Sequence, residues 1–283
     1  MEMTGNDHPM FSIIVVALNP GDKLIQTIES ISRQTCTEYQ VVVKDGGSRD
    51  GSTQALREFL AQSGRDALEA RVRIVEQPDK SIYDGMNQAC THAEGEYFYF
   101  LNCGDYFAGE EALSQAAEAI RRDREAGGKA LIYYGDIFDA LRGQTVSSNP
   151  QMDAFACYRN VPCHQACIYH RSLFSERGYE PEYRVRADYE HFLWCFFKKQ
   201  AEVRYIPVTL ASYEGGGFSE TKENRRRSKE EHRRITALYM TKGERIKYRL
   251  ILLLTLAPLR TRMAESPAFS GIYNRFKKWI YKR

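Results

Sequence analysis

A chain of 283 residues, 43% hydrophobic and 27% charged, is long enough to bury one large core and an appendage, as an ordinary soluble globular protein does. Its seven cysteines are odd in number, scattered and without a C-x-x-C, which argues against a disulfide framework. The net charge of +3 conceals a divide: residues 222–283 carry 18 Lys+Arg against 5 Asp+Glu, a surplus of 13, and the preceding 221 residues are acidic enough to argue against nucleic-acid binding.

The opening "MEMTGNDHPM" is polar and runs straight into a short strand-like stretch, so no secretory leader is expected and residence is expected to be cytoplasmic. The runs "FSIIVVA" (11–17), "YQVVVK" (39–44), "VRIVE" (72–76) and "YFYFL" (97–101) predict strands. Between them lie segments such as "GDKLIQTIESISRQ", whose Leu24, Ile28 and Ile31 recur at helical spacing. This alternation predicts an α/β fold with a mainly parallel central sheet flanked by helices. Farther on, residues 131–138, 164–169 and 202–213 read as strands and 187–199 as a helix.

Ligands of such sheets bind beyond the C-terminal strand ends, which draws attention to Asn19, Asp45, Gln77 to Lys80 and Asn102 to Asp105. "KDGGSRDGS" sets Asp45 before a glycine-rich turn and a helix start. It fits either a ligand contact, with Asp45 accepting hydrogen bonds from a base or sugar, or a capped turn. "EQPDKSIYDGMNQA" crowds Asp79, Lys80, Tyr83, Asp84 and Asn87 around another helix start, again as a cap or a site. "LNCGD" offers one carboxylate, Asp105, where a cation site would want more. "CHQACIYH" (Cys163, His164, Cys167, His170) leaves open zinc ligation or packed thiols with a polar histidine. "RADYEHFLW" places Asp188 and Glu190 at a helix start, as a rigidly held base or as compensation of the helix dipole.

Taken in order, "SIIVVALN", "VVVKDGGSRDGS", "EQPDKSIYDGMNQA", "GEYFYFLNCGD", "HQACIYHRSLFSERG" and "ADYEHFLW" resemble a bacterial family 2 glycosyltransferase of GT-A fold. The resemblance covers roughly the first 220 residues and is especially to members of exopolysaccharide and lipopolysaccharide clusters that resemble the colanic acid transferases. It implies an inverting transfer from a nucleotide-diphospho-sugar, expected to be UDP-linked, to a hydroxyl of a lipid-linked saccharide. By position, Asp45 matches the nucleobase contact, framed by Ala17 and Asn19, and Asp79, Tyr83, Asp84 and Asn87 match donor-flanking residues. Asp105 matches the last carboxylate of the metal-binding edge, with Asn102 beside it as a helper on the donor side. His164 and Gln165 match an acceptor-side pair, and Asp188 matches the base. The implied cofactor is Mg²⁺ or Mn²⁺, because hard cations take oxygen ligands.

The chain departs from the family pattern at two edges. Asn102, Cys103, Gly104 and Asp105 stand where many relatives have D-x-D-D, and Ala17 and Leu18 replace a common Thr and Tyr. Two other functional classes stay in view. A sugar nucleotidyltransferase would want a G-x-G-T-R-like loop after the first strand, where "ALNPGDKL" stands, and a non-catalytic nucleotide-sugar binder would accord with the sparse metal edge.

The reading divides the chain into a catalytic domain, 1–214, and a mobile loop with amphipathic basic helices, 215–283. "GGGFSETKE" fits a loop closing over the donor or a flexible exit. "LILLLTLAPL" is far short of the ~20 apolar residues that span a bilayer. In the last segment Phe269, Ile272, Tyr273, Phe276, Trp279 and Ile280 interleave with Arg275, Lys277, Lys278, Lys282 and Arg283. That pattern suits a helix lying on the anionic inner face of the cytoplasmic membrane, or one packed on the domain with its basic side in water.

Overall fold

The computed structural model describes residues 8–213 and 221–254. The chain divides into two compact units, Met1–Glu231 and His232–Arg283. The glycine loop at 215–217 and the aromatic-basic segment from Phe269 onward lie outside the described residues.

The first half alternates as its apolar runs predict. Strands β1 (Phe11–Ala17), β2 (Tyr39–Asp45), β3 (Val72–Glu76) and β4 (Tyr97–Phe100) are separated by helices α1 (Lys23–Ser32), α2 (Ser52–Leu60), α3 (Asp66–Glu69) and α4 (Ile82–Cys90). β1 pairs in parallel with both β2 and β4, and β2 with β3. Helices on its faces bury such a sheet on both sides, which is why Ile13, Ile14, Val15, Val41, Val42 and Val43 are all sealed from solvent without alternation. In α1, Leu24, Ile28 and Ile31 form the buried stripe expected of them, each such side chain contributing about 1.5–3 kcal/mol.

The second half contains β5 (Tyr106–Phe107), α5 (Ala112–Glu125), β6 (Ile132–Asp139), β7 (Gln144–Val146), α6 (Ala154–Arg159), β8 (Cys167–His170), α7 (Ser172–Glu176), α8 (Ala187–Phe197) and β9 (Val203–Tyr213). Among the described residues nine strands form one sheet in the order β3-β2-β1-β4-β8-β6-β9-β5, with β7 paired to β6. β8 runs antiparallel between β4 and β6, while β6 and β9 run parallel. Helices α9 (Lys222–Tyr239) and α10 (Lys242–Leu254) follow. No described helix is long and apolar enough to cross a membrane.

The register aligns the polar strand ends. Ala17 lies beside Asp45 and Asp45 beside Glu76, while Phe100 pairs with Ile14 so that β4 runs out into "LNCGD" at the same edge. The first strand ends thus share one rim, where an α/β sheet presents its ligand crevice.

Candidate active site

The β2 end is a turn built around its own carboxylate. Asp45 Oδ2 accepts from the Gly47 and Ser48 N–H groups at 3.0 and 2.9 Å, and the Ser48 hydroxyl donates to Oδ1. Asn19, with φ at +48°, is tied to the same turn: its N–H donates to Ser48 Oγ and its Oδ1 accepts from Arg49 N–H, both at 2.8 Å. The Ala17 carbonyl accepts from Gly46 N–H at 2.9 Å. Ala17, Asn19 and Asp45 therefore form one rigid frame at the ends of β1 and β2.

Beneath that frame lies a buried ion pair. Lys44, fully enclosed, donates to Asp79 Oδ2 at 2.9 Å and to the Asp45 and Gln77 carbonyls. The Asp79 carboxylate also lies against Gly46 and Gly85, where an added Cβ would come within 2.6 and 3.0 Å of its oxygen. Only glycine at 46 permits that approach. Ser81 caps α4, its hydroxyl accepting from Asp84 N–H, and Asp84 Oδ2 reaches back to accept from Lys80 N–H at 2.8 Å. Asn87 clamps the Tyr179 backbone with both ends of its amide, at 2.8 Å each, and packs so close to Gly178 that a Cβ there would fall 2.4 Å from it. The side chains of Asp79, Asp84 and Asn87 thus hold the walls of the rim together.

The "LNCGD" turn is gripped from two sides. On α1, Thr27 Oγ1 accepts from Gly104 N–H at 2.9 Å and donates to the Asp105 carbonyl at 3.2 Å. From the turn before β8, Gln165 Nε2 donates to Asp105 Oδ2 at 2.8 Å, and Gln165 is itself held through its carbonyl by the Tyr99 hydroxyl at 2.7 Å. Burial and the nearby Asp105 charge push the Tyr99 phenol well above its ordinary pKa, so it stays a donor. Asn102 Oδ1 is buried without a hydrogen-bond partner. An orphaned amide oxygen in the same turn as a fixed carboxylate is a donor set suited to a hard cation, whose remaining ligands diphosphate oxygens and water can supply.

Asp188 stands in the first turn of α8, half-buried. Its Oδ1 accepts from the Tyr83 hydroxyl at 2.8 Å, and that hydroxyl also lies 3.1 Å from the Val185 carbonyl. Burial first, then the Asp188 charge, raise the Tyr83 pKa well above the ordinary value. Tyr83 is therefore a fixed hydrogen-bond donor to the carboxylate, a role that its spacing beside Asp84 did not suggest. Glu190, deeply buried, pairs with Arg177, whose guanidinium also covers the Trp194 ring at 4.8 Å.

His164 precedes Gln165, which holds Asp105, and feels the charge of Asp188. Its ring packs against Phe100 and Tyr179, with centroids at 5.1 and 5.9 Å, and both its nitrogens are buried without a hydrogen-bond partner. Burial lowers its pKa, opposed by the charge of Asp188, so the imidazole is neutral at pH 7. The adjacent Cys163 thiol donates to Gln165 Oε1 at 3.0 Å, and burial pushes it up to about 12, with Asp105 and Asp188 adding to the rise. Residues 163–165 thus feel both carboxylates. The Cys167 thiol points to the Cys163 carbonyl and His170 Nδ1 pairs with Ser172, so these four potential zinc ligands do not converge. Among the described residues, no three His, Cys, Asp or Glu side chains gather as a metal cluster.

Comparison with known proteins agrees with this geometry. The family model described as "Glycosyl transferase family 2" matches residues 12–178. The "PGL/p-HBAD biosynthesis glycosyltransferase" of Mycobacterium bovis is 34% identical over 215 residues, 75% of this chain and 80% of that one. Among solved structures, S. aureus TarS 1-349 in complex with UDP-GlcNAc superposes with a TM-score of 0.63 at 18% identity, covering 84% of this chain and 70% of that one. Of the longer TarS chain, this chain spans 36%. A mannosyltransferase from Pyrobaculum calidifontis, in complex with GDP-Man and Mn²⁺, gives a TM-score of 0.64 at 15% identity, covering 96% and 81%. These likenesses show a GT-A fold.

Proposed function

The chain belongs to glycosyl transferase family 2, and on that premise we propose that it moves a sugar from a UDP-linked donor to a hydroxyl of a lipid-linked saccharide, with inversion, in surface polysaccharide biosynthesis. One observation carries this reading: two carboxylates far apart in sequence are each oriented by one fixed hydrogen-bond donor, Asp105 by Gln165 and Asp188 by Tyr83.

The donor is bound at the rim of β1, β2 and β4, with the nucleotide framed by Ala17, Asn19 and Asp45 and flanked by the α4 start. UDP is supported by the TarS complexes with UDP and UDP-GlcNAc, whose fold this chain shares. Asp105, with Asn102 beside it, would hold Mg²⁺ or Mn²⁺, as the Mn²⁺ complex of the Pyrobaculum enzyme suggests. That cation supplies positive charge against the departing diphosphate. The Asp188 oxygen not held by Tyr83 takes the proton from the acceptor hydroxyl as its oxygen bonds to the anomeric carbon and the carbon–diphosphate bond breaks. Neutral His164, with its unsatisfied nitrogens, hydrogen-bonds the incoming hydroxyl.

A panel of nucleotide sugars tests this. UDP-linked donors should release UDP slowly in water with Mg²⁺ or Mn²⁺, faster than GDP-linked ones, and Asp105→Ala should remove the cation-dependent part. Equal cation-dependent turnover by Asp105→Ala would return "LNCGD" to the status of a turn, and UDP binding without release from any donor would favour a binder.

Membrane association follows from the acceptor's lipid anchor and from the basic surplus of residues 222–283. On α10, Ile246, Leu250, Leu253 and Leu254 are exposed among Lys242, Arg245, Lys247 and Arg249, a pattern suited to an anionic interface. A chain ending at residue 243 should fail to co-sediment with vesicles containing phosphatidylserine that retain the full chain. Equal retention of both would remove the tail as anchor.

A further inference from the structure

The turn that delivers Asp188 is held from an unexpected place. The carboxylate of Glu231, on α9 and only 4% exposed, accepts from three consecutive main-chain N–H groups: Arg184 at 2.9 Å, Val185 at 3.0 Å and Arg186 at 2.9 Å. Three successive amides converging on one anion form a nest, in which each bond is charge-assisted. One helical turn earlier on α9, Ser228 Oγ accepts from Arg186 Nε at 2.7 Å. All these residues belong to the first compact unit.

The opposite side of the same peptide run is gripped by Tyr83. Its hydroxyl lies 3.1 Å from the Val185 carbonyl and 2.8 Å from Asp188 Oδ1. Val185 is thus bracketed, N–H to Glu231 and C=O facing Tyr83, two residues before Asp188. Arg186 then starts α8 with no side-chain cap of its own. Burying a carboxylate is unfavourable unless its lone pairs are met, and here they are met by the turn whose φ and ψ set where Asp188 points.

We infer that Glu231 is a positioning residue for sugar transfer, fixing the 184–186 turn so that Asp188 meets the acceptor hydroxyl at a productive distance. The inference rests on the reading of Asp188 as the base. It also gives the middle of α9 a part in the chemistry, although the sequence marks that helix only by its charge.

Glu231→Gln is the informative change, because an amide offers one acceptor oxygen in place of two and turns an N–H₂ toward at least one of the three donors. Donor turnover, read as UDP released from the best UDP-sugar of the panel, should fall roughly 10- to 100-fold in kcat, since small misplacements of a reacting group carry losses of that size. KM for the donor and the Kd for UDP should stay within about twofold, because the nucleotide frame does not touch this turn.

A double-mutant cycle with Asp188→Asn separates positioning from general support. If Glu231 acts through Asp188, adding Glu231→Gln to Asp188→Asn should leave the residual rate, measured with radiolabelled donor, unchanged. Additive losses, or a wild-type kcat in Glu231→Gln while Asp188→Asn is inactive, would overturn the inference alone. Full turnover by Asp188→Asn would instead overturn the base reading, and the inference with it. Ser228→Ala, which releases only the Arg186 side chain, is the second variant should Glu231→Gln fail to fold. It should show a smaller kcat loss that likewise vanishes in the Asp188→Asn background, and a loss that persists there would overturn the inference.

Discussion

Asp188→Asn is expected to lower sugar transfer ~10²–10⁴-fold, or about 2.7–5.5 kcal/mol of barrier, while leaving UDP affinity unchanged. Asn fills the same space at the start of α8 and can still accept from the Tyr83 hydroxyl, so the geometry around the hydrogen-bonded Oδ1 is kept. What it cannot do is take a proton. The loss should therefore fall in kcat, with KM for the donor nearly constant, because the nucleotide frame lies at the β1 and β2 ends and makes no bond to α8. Isothermal titration with UDP and initial rates with the best donor are the two measurements. A variant that keeps wild-type kcat would show that another group, or water alone, accepts the proton.

Tyr83 sharpens that expectation. Because burial and the Asp188 charge hold its phenol protonated, it is a donor throughout the neutral range and leaves one Asp188 oxygen committed. On the proposed base role, the second oxygen is then the one left to meet an acceptor. A freely rotating carboxylate would offer either oxygen and lose part of its orientation.

The parallel half of the fold was legible because its signal is local. Runs such as "YQVVVKD" are apolar without alternation, as a strand covered on both faces must be, and α1 shows Leu24, Ile28 and Ile31 on one stripe. The polar strand ends followed directly, and with them Asp45 and Asp105. The second half was harder to read. β5 has only two residues and pairs with β9 a hundred positions away, and the buried stripe of α5 is largely alanine, Ala112, Ala116 and Ala117, which contributes little contrast. Its pairing is decided by tertiary contact rather than by local pattern.

The same distinction separates the site residues. Carboxylates that face a ligand crevice end strands and start helices, so a strand-end rule finds them. Groups that orient those carboxylates obey no such rule. Thr27 sits within the apolar stripe of α1, Tyr99 within the aromatic run of β4, and Glu231 within a charged helix where it looks solvated. Two of these are at least visible as hydroxyls on buried faces, Thr27 among Leu24, Ile28 and Ile31, and Tyr99 in line with Tyr97. Glu231 has no such mark, since a glutamate in "RRRSKEEHRR" is indistinguishable by pattern from its exposed neighbour Glu230.

Lys44→Met should destabilise the first unit by about 3–5 kcal/mol, because it strands the largely enclosed carboxylate of Asp79. Lys44 has no exposed side-chain surface, and its ammonium ties together Asp79 and the carbonyls of Asp45 and Gln77. Methionine fills the volume but satisfies none of these oxygens, leaving Asp79 charged against Gly46 and Gly85. Thermal melting should drop on the order of 10 °C. UDP affinity should fall as well, since the Asp45 frame rests on the same lysine. Asp79→Asn alone should be milder, because Lys44 keeps two carbonyl partners and the amide fits the glycine pocket. The decisive comparison is the double change Lys44→Met with Asp79→Asn. If the stranded charge is the source of the loss, the double variant should be more stable than Lys44→Met alone. If it is less stable, the lysine's bonds to the Asp45 and Gln77 carbonyls, and not its charge, hold the rim of the site in place.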